Sequence, residues 1–288
     1  MTRPQVCLVV GNTHGGSTVT NIVIGRHKEV LSVGTMRGLP DSHQLISGKW
    51  CACGSDSLSC SFWQYVASSV DLAQSLHAQD LSLCASILEE SQSRIVVDVE
   101  HGLDRMIELV SSPELDVRVV CVDRQLRGVI HSQVRTSRKR GELTVPVVDF
   151  VMLCLRVGRG WALGPRIVSR FRDLRVVSQI MIRNERLCPQ ADVELNRVRR
   201  SSNVDYHDVG EGMSGDRVLE VPRHWTRGNR KLRRNNTLEL RVEASSRGKP
   251  QYGARFFGGV GAAVGILEAR VLTSRRLQDI GESVECLS

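Results

Sequence analysis

The 288-residue chain is 41% hydrophobic but only 4% aromatic, which suits one substantial, mostly aliphatic core plus an appendage, and no run approaches the roughly 20 apolar residues of a membrane span. Its formal charge is +8, yet residues 226–288 hold twelve Lys/Arg against six Asp/Glu, so +6 of the excess belongs to the last part of the chain. That distribution reads as a solvated basic segment rather than a nucleic-acid face, and no membrane partner is expected.

The first residues lack the charged, apolar and small-residue order of a signal peptide. The nine cysteines are odd in number and mostly scattered, as in a reduced chain. A cytoplasmic location is the expectation.

"QVCLVV" (5–10) is short, apolar and not alternating, the pattern of a strand buried on both faces. It stops at Gly11, and helical periodicity starts after Gly16. The loop Gly11, Asn12, Thr13, His14, Gly15, Gly16, Ser17, Thr18 would present successive backbone N–H groups at a helix N-terminus, where the helix dipole favours an anion. Ser17 and Thr18 add hydroxyl donors and His14 adds an imidazole. A nucleotide kinase would carry Gly-Lys-Ser/Thr here, whereas this chain has Gly16-Ser17-Thr18, so a kinase is disfavoured. A structural turn is the blander reading, but the strand before and the helix after favour a binding loop.

"CACGSDSLSC" clusters Cys51, Cys53 and Cys60. Three thiols at this spacing can seed a zinc site only with a fourth ligand from elsewhere, His43 being the nearest candidate. Loop packing is the simpler reading, and no metal is assigned. A helical pattern then spans 62–90, with Phe62, Trp63 and the preceding Trp50 read as core more readily than as an acceptor pocket.

"RIVVDV" (94–99), "VRVVCV" (117–122) and "VVSQIMI" (176–182) repeat the buried-strand pattern, with helical patterns across 101–111 and from about 126. Strands alternating with helices imply right-handed crossovers and an α/β fold with a parallel sheet covered by helices on both faces. Ligands of such sheets bind beyond the carboxyl ends of the strands, here Gly11, Asp98 and Asp123-Arg124. Arg124 offers a bidentate grip on a phosphate, and Ser132, eight residues on, a hydroxyl. Taken singly they are a surface arginine and an exposed helix serine. The α/β domain is assigned to 1–225. Residues 226–288, with "TRGNRKLRRNN" and "FFGGVGAAVG", form a basic C-terminal extension without an assigned fold, expected to be dispensable for ligand binding.

Four segments in order across 5–225 resemble the PAPS-dependent sulfotransferases, especially a bacterial branch. "VVGNTHGGSTVTNIVIGRHKEVLSVGTMRGLP" is similar to that branch's Gly-x-x-Arg-Ser-Gly-Ser-Thr opening, and "CACGSDSLSCSFW" to its Cys-x-Cys-Gly…Cys-Pro-Phe-Trp segment. "VVDVEHGLDRMIELVSSPELDVRVVCVDRQLRGVIHSQVR" resembles its Asp-Ser-Ser-Lys strand end and Arg…Ser phosphate motif, and "IMIRNERLCPQADVELNRV" its Arg-Tyr-Glu-Asp-Leu segment. The resemblance implies a nucleotide-binding sulfotransferase fold and a co-substrate, 3′-phosphoadenosine 5′-phosphosulfate (PAPS). Gly11 through Thr18 would hold the 5′-phosphosulfate, and Arg124 with Ser132 the 3′-phosphate. The acceptor would be a hydroxyl or amine on a small molecule or carbohydrate.

The chain departs from the family at three points on one rim. His14 stands at the loop arginine and Gly15 at the following serine. Thr35 stands where many relatives have a glutamate, and Val99-Glu100-His101 replaces Ser-Ser-Lys after Asp98. His14 as donor, with Glu100 or His101 as base, would then carry the chemistry. The runner-up is a catalytically degenerate nucleotide-binding or assembly protein. Asp98 and Glu185 read as loop-ordering acids, and His207 resembles a family segment near the donor's 3′ side.

Overall fold

A computed structural model describes residues 3–36, 51–55, 59–71, 73–101, 103–139, 178–187, 190–202, 217–225 and 237–240. His43, Trp50 and His207 lie outside the described residues. The chain divides into two compact units, Met1–Arg124 with Ile167–Val242, and Gln125–Arg166 with Glu243–Ser288. Among the described residues no helix is long and apolar enough to cross a membrane.

In the first unit the elements run β1 (Gln5–Gly11), α1 (Ser17–Ile24), β2 (Val30–Ser32), α2 (Ser61–Ser68), α3 (Leu76–Ser91), β3 (Ile95–Glu100), α4 (Leu103–Ser111) and β4 (Asp116–Asp123). The second unit contributes α5 (Leu126–Lys139). The first then resumes with β5 (Ser178–Arg183), a 3-10 turn (Asn184–Arg186), α6 (Ala191–Ser202), β6 (Arg217–Glu220) and β7 (Thr237–Leu240).

Five strands form one parallel sheet in the order β2-β3-β1-β4-β5, and β6 pairs antiparallel with β7. The strand order reverses at β1, which lies between β3 and β4, so the carboxyl end of β1 is the switch point where a crevice opens in such sheets. Residues alternate between two cores. Val6, Leu8 and Val10 face one that includes Phe62, Trp63, Leu83, Ile87, Met106 and Leu109 of α2, α3 and α4. Cys7 and Val9 face the other, with Ile22, Val23 and Ile24 of α1 and Leu195 and Val198 of α6. Helices therefore cover both sheet faces, and both faces of β1 are buried, which is why that strand carries no alternation.

The four expected strands end within two residues of their assigned bounds. The single helical stretch expected over 62–90 is two helices. The break falls at 69–75, where the Asp71 side chain accepts from Ala73 N–H and Ser75 caps α3 by accepting from Ala78 N–H at 3.3 Å. β2 has three residues, too few for a periodic signal. β7, beyond residue 225, is the partner of β6.

The seating of α1 depends on a buried polar pair. Ser32 Oγ donates to Asn21 Oδ1, and Asn21 Nδ2 reaches Val97 O at 3.5 Å, which joins the helix to β2 and β3. Both side chains are fully buried. Asn21→Ala should therefore cost about 1–3 kcal/mol, because it strands the Ser32 hydroxyl in the core. Adding Ser32→Ala should cost less than Ser32→Ala does in the wild type, as read by urea denaturation. Independent additive losses would contradict this pairing.

Candidate functional site

The turn between β1 and α1 is built by two left-handed residues. His14 has φ 65° and Gly16, at the α1 N-cap, φ 104°. Gly15 N–H donates to Asn12 O at 2.7 Å, and a Cβ on Gly15 would crowd that same carbonyl at 2.6 Å. A Cβ on Gly16 would run into the side-chain amide of Asn184. Neither position accommodates a side chain. Left-handed turns leading into a helix N-terminus aim consecutive N–H groups at one point, a concavity suited to an anion.

Three other strand ends converge on this turn. At the end of β4, Arg124 donates from Nη1 to His14 O at 2.8 Å. Burial lowers the basicity of Arg124 while nearby Glu185 acts to raise it, and a guanidinium stays charged either way. Beyond β5, Asn184 covers Gly16. Beyond β3, the exposed His101 places Nδ1 2.8 Å from Gly11 O. A carbonyl only accepts, so Nδ1 carries the proton, and Nε2 is the basic nitrogen of the neutral ring.

Behind the rim one guanidinium serves three buried carboxylates. Asp98 and Glu100, two apart on β3, point to the same sheet face as Leu8 and Val10. Arg105 of α4 donates from Nη1 to Asp98 at 2.8 Å and to Glu100 at 2.7 Å, and from Nε and Nη2 to Asp80 of α3 at 2.9 Å each. The Asp98 and Glu100 side chains are 1% exposed and that of Arg105 13%. Burial raises the Asp98 carboxyl above its ordinary value, and Glu100 adds to this, against the opposing pull of Arg105 and the Met36 N–H. Burial alone would weaken the Arg105 guanidinium, but Asp98, Asp80 and Glu100 raise its basicity. Asp98 also accepts from Met36 N–H at 2.8 Å, fixing the chain after β2, and Glu100 accepts from His101 N–H at 2.7 Å.

Gly11, Asn12, Thr13, His14, Gly15, Gly16, Arg124, Glu100 and His101 lie at or just beyond the carboxyl ends of β1, β3 and β4, and Ser17 and Thr18 open α1. Ser132 lies on α5 in the second unit, where its carbonyl accepts from Thr136 Oγ1 at 2.9 Å. The two proposed bases differ sharply: both oxygens of Glu100 are held by Arg105 and the His101 N–H, whereas the His101 ring is exposed. Thr35 is half-buried beside Asp98's partner Met36. Phe62 and Trp63 are 4% and 1% exposed and belong to the core. Sequence reasoning missed Arg105 and Asp80. Arg105 follows Asp98 by seven residues, a spacing that marks nothing by itself, and Asp80 comes from a helix distant in sequence.

No family model matches the sequence, and no curated protein matches it either. The fold does match solved structures. A sulfotransferase domain from the curacin biosynthetic pathway is 17% identical, with TM-score 0.50, over 72% of this chain and 77% of that one. A sulfotransferase domain from the Synechococcus PCC 7002 olefin synthase is 14% identical, with TM-score 0.53, over 86% of this chain and 88% of that one. The chain therefore has the sulfotransferase fold, a parallel sheet flanked by helices with a glycine turn at its central strand.

Two substitutions probe this geometry. Gly16→Ala forces a Cβ into Asn184 at a left-handed position and should destabilise by more than about 1 kcal/mol. Arg105→Met leaves three buried carboxylates unpaired and should cost about 3–5 kcal/mol. Denaturant unfolding measures both, and an Arg105→Met loss below that of Gly16→Ala would contradict the account of the buried cluster.

Proposed function

We propose that this chain is a sulfotransferase that moves a sulfuryl group from PAPS to a hydroxyl or amine of a small-molecule or carbohydrate acceptor. The observation that carries the reading is the left-handed glycine turn at the switch point, gripped by residues from three neighbouring strand ends, in a chain with the sulfotransferase fold. In this reading Gly11 through Thr18 hold the 5′-phosphosulfate and Arg124 binds the 3′-phosphate.

Transfer follows the logic of in-line phosphoryl transfer. The acceptor oxygen or nitrogen attacks sulfur and gives its proton to a base. The bond from sulfur to the bridging oxygen breaks, and the electron pair leaves with 3′-phosphoadenosine 5′-phosphate. His101 is the base: its Nδ1–H is committed to Gly11 O, which presents Nε2 as the proton acceptor. Glu100 positions His101 rather than taking the proton itself. The backbone N–H groups of the turn and the His14 imidazolium face the negative charge that grows on the leaving phosphate.

A second reading, a nucleotide binder without turnover, is favoured by the commitment of Glu100 to Arg105, which removes one candidate base. Conversion of PAPS to 3′-phosphoadenosine 5′-phosphate across an acceptor panel separates the two. We expect wild-type turnover and a fall of about 100-fold or more in kcat for His101→Gln with KM for PAPS little changed. His14→Arg should preserve or raise that turnover. Donor binding without turnover in the wild type, with turnover gained by His14→Arg, would establish the non-catalytic reading instead.

A further inference from the structure

Four soft ligand atoms meet in the first unit, away from the glycine turn. Cys51, Cys53, Cys60 and His224 bring three sulfurs and Nδ1 all within 4.8 Å of one another. The sulfur of Cys60 lies 3.8 Å from that of Cys51 and 3.7 Å from that of Cys53. His224 Nδ1 lies 3.3 Å from the Cys60 sulfur and 3.8 Å from the Cys51 sulfur. A tetrahedral zinc with bonds of about 2.3 Å to sulfur and about 2.0 Å to nitrogen separates sulfurs by about 3.8 Å and sulfur from nitrogen by about 3.5 Å. These four spacings lie within about 0.3 Å of those edges, whereas a disulfide requires about 2.05 Å.

The cysteine segment is held by its own backbone. Gly54, at φ 94°, donates its N–H to Cys51 O while Cys51 N–H reaches Ser55 O, both at 3.0 Å, so that a tight knuckle carries Cys51 and Cys53.

His224 is held just as firmly. It takes a left-handed backbone, φ 64°, unusual for a histidine. Its ring stacks on Phe62 with centroids 4.4 Å apart, and its carbonyl accepts from Trp63 Nε1 at 2.9 Å. The next residue, Trp225, accepts from Ala52 N–H at 3.1 Å. A strained backbone kept in place by contacts with the cysteine segment and with α2 has its ring fixed toward the three sulfurs.

We propose that Cys51, Cys53, Cys60 and His224 Nδ1 form a closed, four-coordinate zinc site that clips the 51–60 segment to residues 221–225. With three thiolates and one imidazole and no open position, its role is structural. The sequence showed three of the ligands; the fourth is His224, more than 160 residues away from Cys60, while His43 lies outside the described residues. The inference is independent of the transferase reading.

Elemental analysis of the full chain, purified under reducing conditions without chelator, tests it. We expect about one zinc per chain. After dialysis against a weak chelator, Cys53→Ser and His224→Ala should fall toward zero, while Cys84→Ala, at a buried cysteine outside the cluster, retains the ion. Should the variants not fold, two measurements on the wild type decide. Stripping the metal should lower Tm and added zinc restore it, and cobalt substitution should give the intense visible bands of a tetrahedral thiolate site. A folded wild type that takes up no zinc when it is supplied, or zinc held equally well by His224→Ala, would overturn the proposal.

Discussion

One buried guanidinium holds the working end of this sheet together. Arg105 neutralises part of the charge of three carboxylates that come from α3 and from two positions of β3. Each carboxylate has a second task. Asp98 fixes the exit of β2 through Met36, and Glu100 fixes the exit of β3 through the His101 N–H. His101 in turn grips the carbonyl of Gly11, the first residue of the glycine turn. A continuous path of hydrogen bonds therefore runs from a fully packed interior to the residue that begins the loop. In a low-dielectric interior such a path is rigid when every member is satisfied and costly when one is removed.

The residues around the turn take on meaning in that setting. Glu100 supplies a buried acid for Arg105 and His101 an exposed imidazole beside the turn. His14 adopts the left-handed conformation and offers its carbonyl to Arg124. Arg124 thus supports the loop through one N–H, and the role proposed for it toward a 3′-phosphate adds to that contact.

What the sequence disclosed follows from which signals are local. β1, β3 and β4 were legible because strands buried on both faces are dominated by Val, Ile, Leu and Cys, and β5, at the sheet edge with Met181 exposed, was legible from its Ile-Met-Ile core alone. The glycine turn was legible because Gly15 and Gly16 stand where a side chain would collide with its surroundings, and Gly16 also where the backbone turns left. The break between α2 and α3 was hidden because Asp71 and Ser75 act through capping contacts that leave the apolar periodicity nearly intact. Arg105, Asp80 and His224 were illegible for a different reason. Each becomes functional only through partners brought near by the topology, and nothing in their own neighbourhoods marks them.

The central claim is that the turn and Arg124 together recognise a nucleotide carrying a 3′-phosphate. Calorimetric titration of the wild type and of Arg124→Ala with 3′-phosphoadenosine 5′-phosphate, and in parallel with adenosine 5′-phosphate, tests it most directly. The loss shared by both ligands reports the Arg124 contact to His14, and the excess loss with the 3′-phosphorylated ligand reports the phosphate contact. The account predicts tighter wild-type binding of the 3′-phosphorylated ligand and an excess loss of about 1.5–3 kcal/mol, the worth of a hydrogen bond to a charged group. Equal losses for the two ligands, or no binding of either by the wild type, would contradict it.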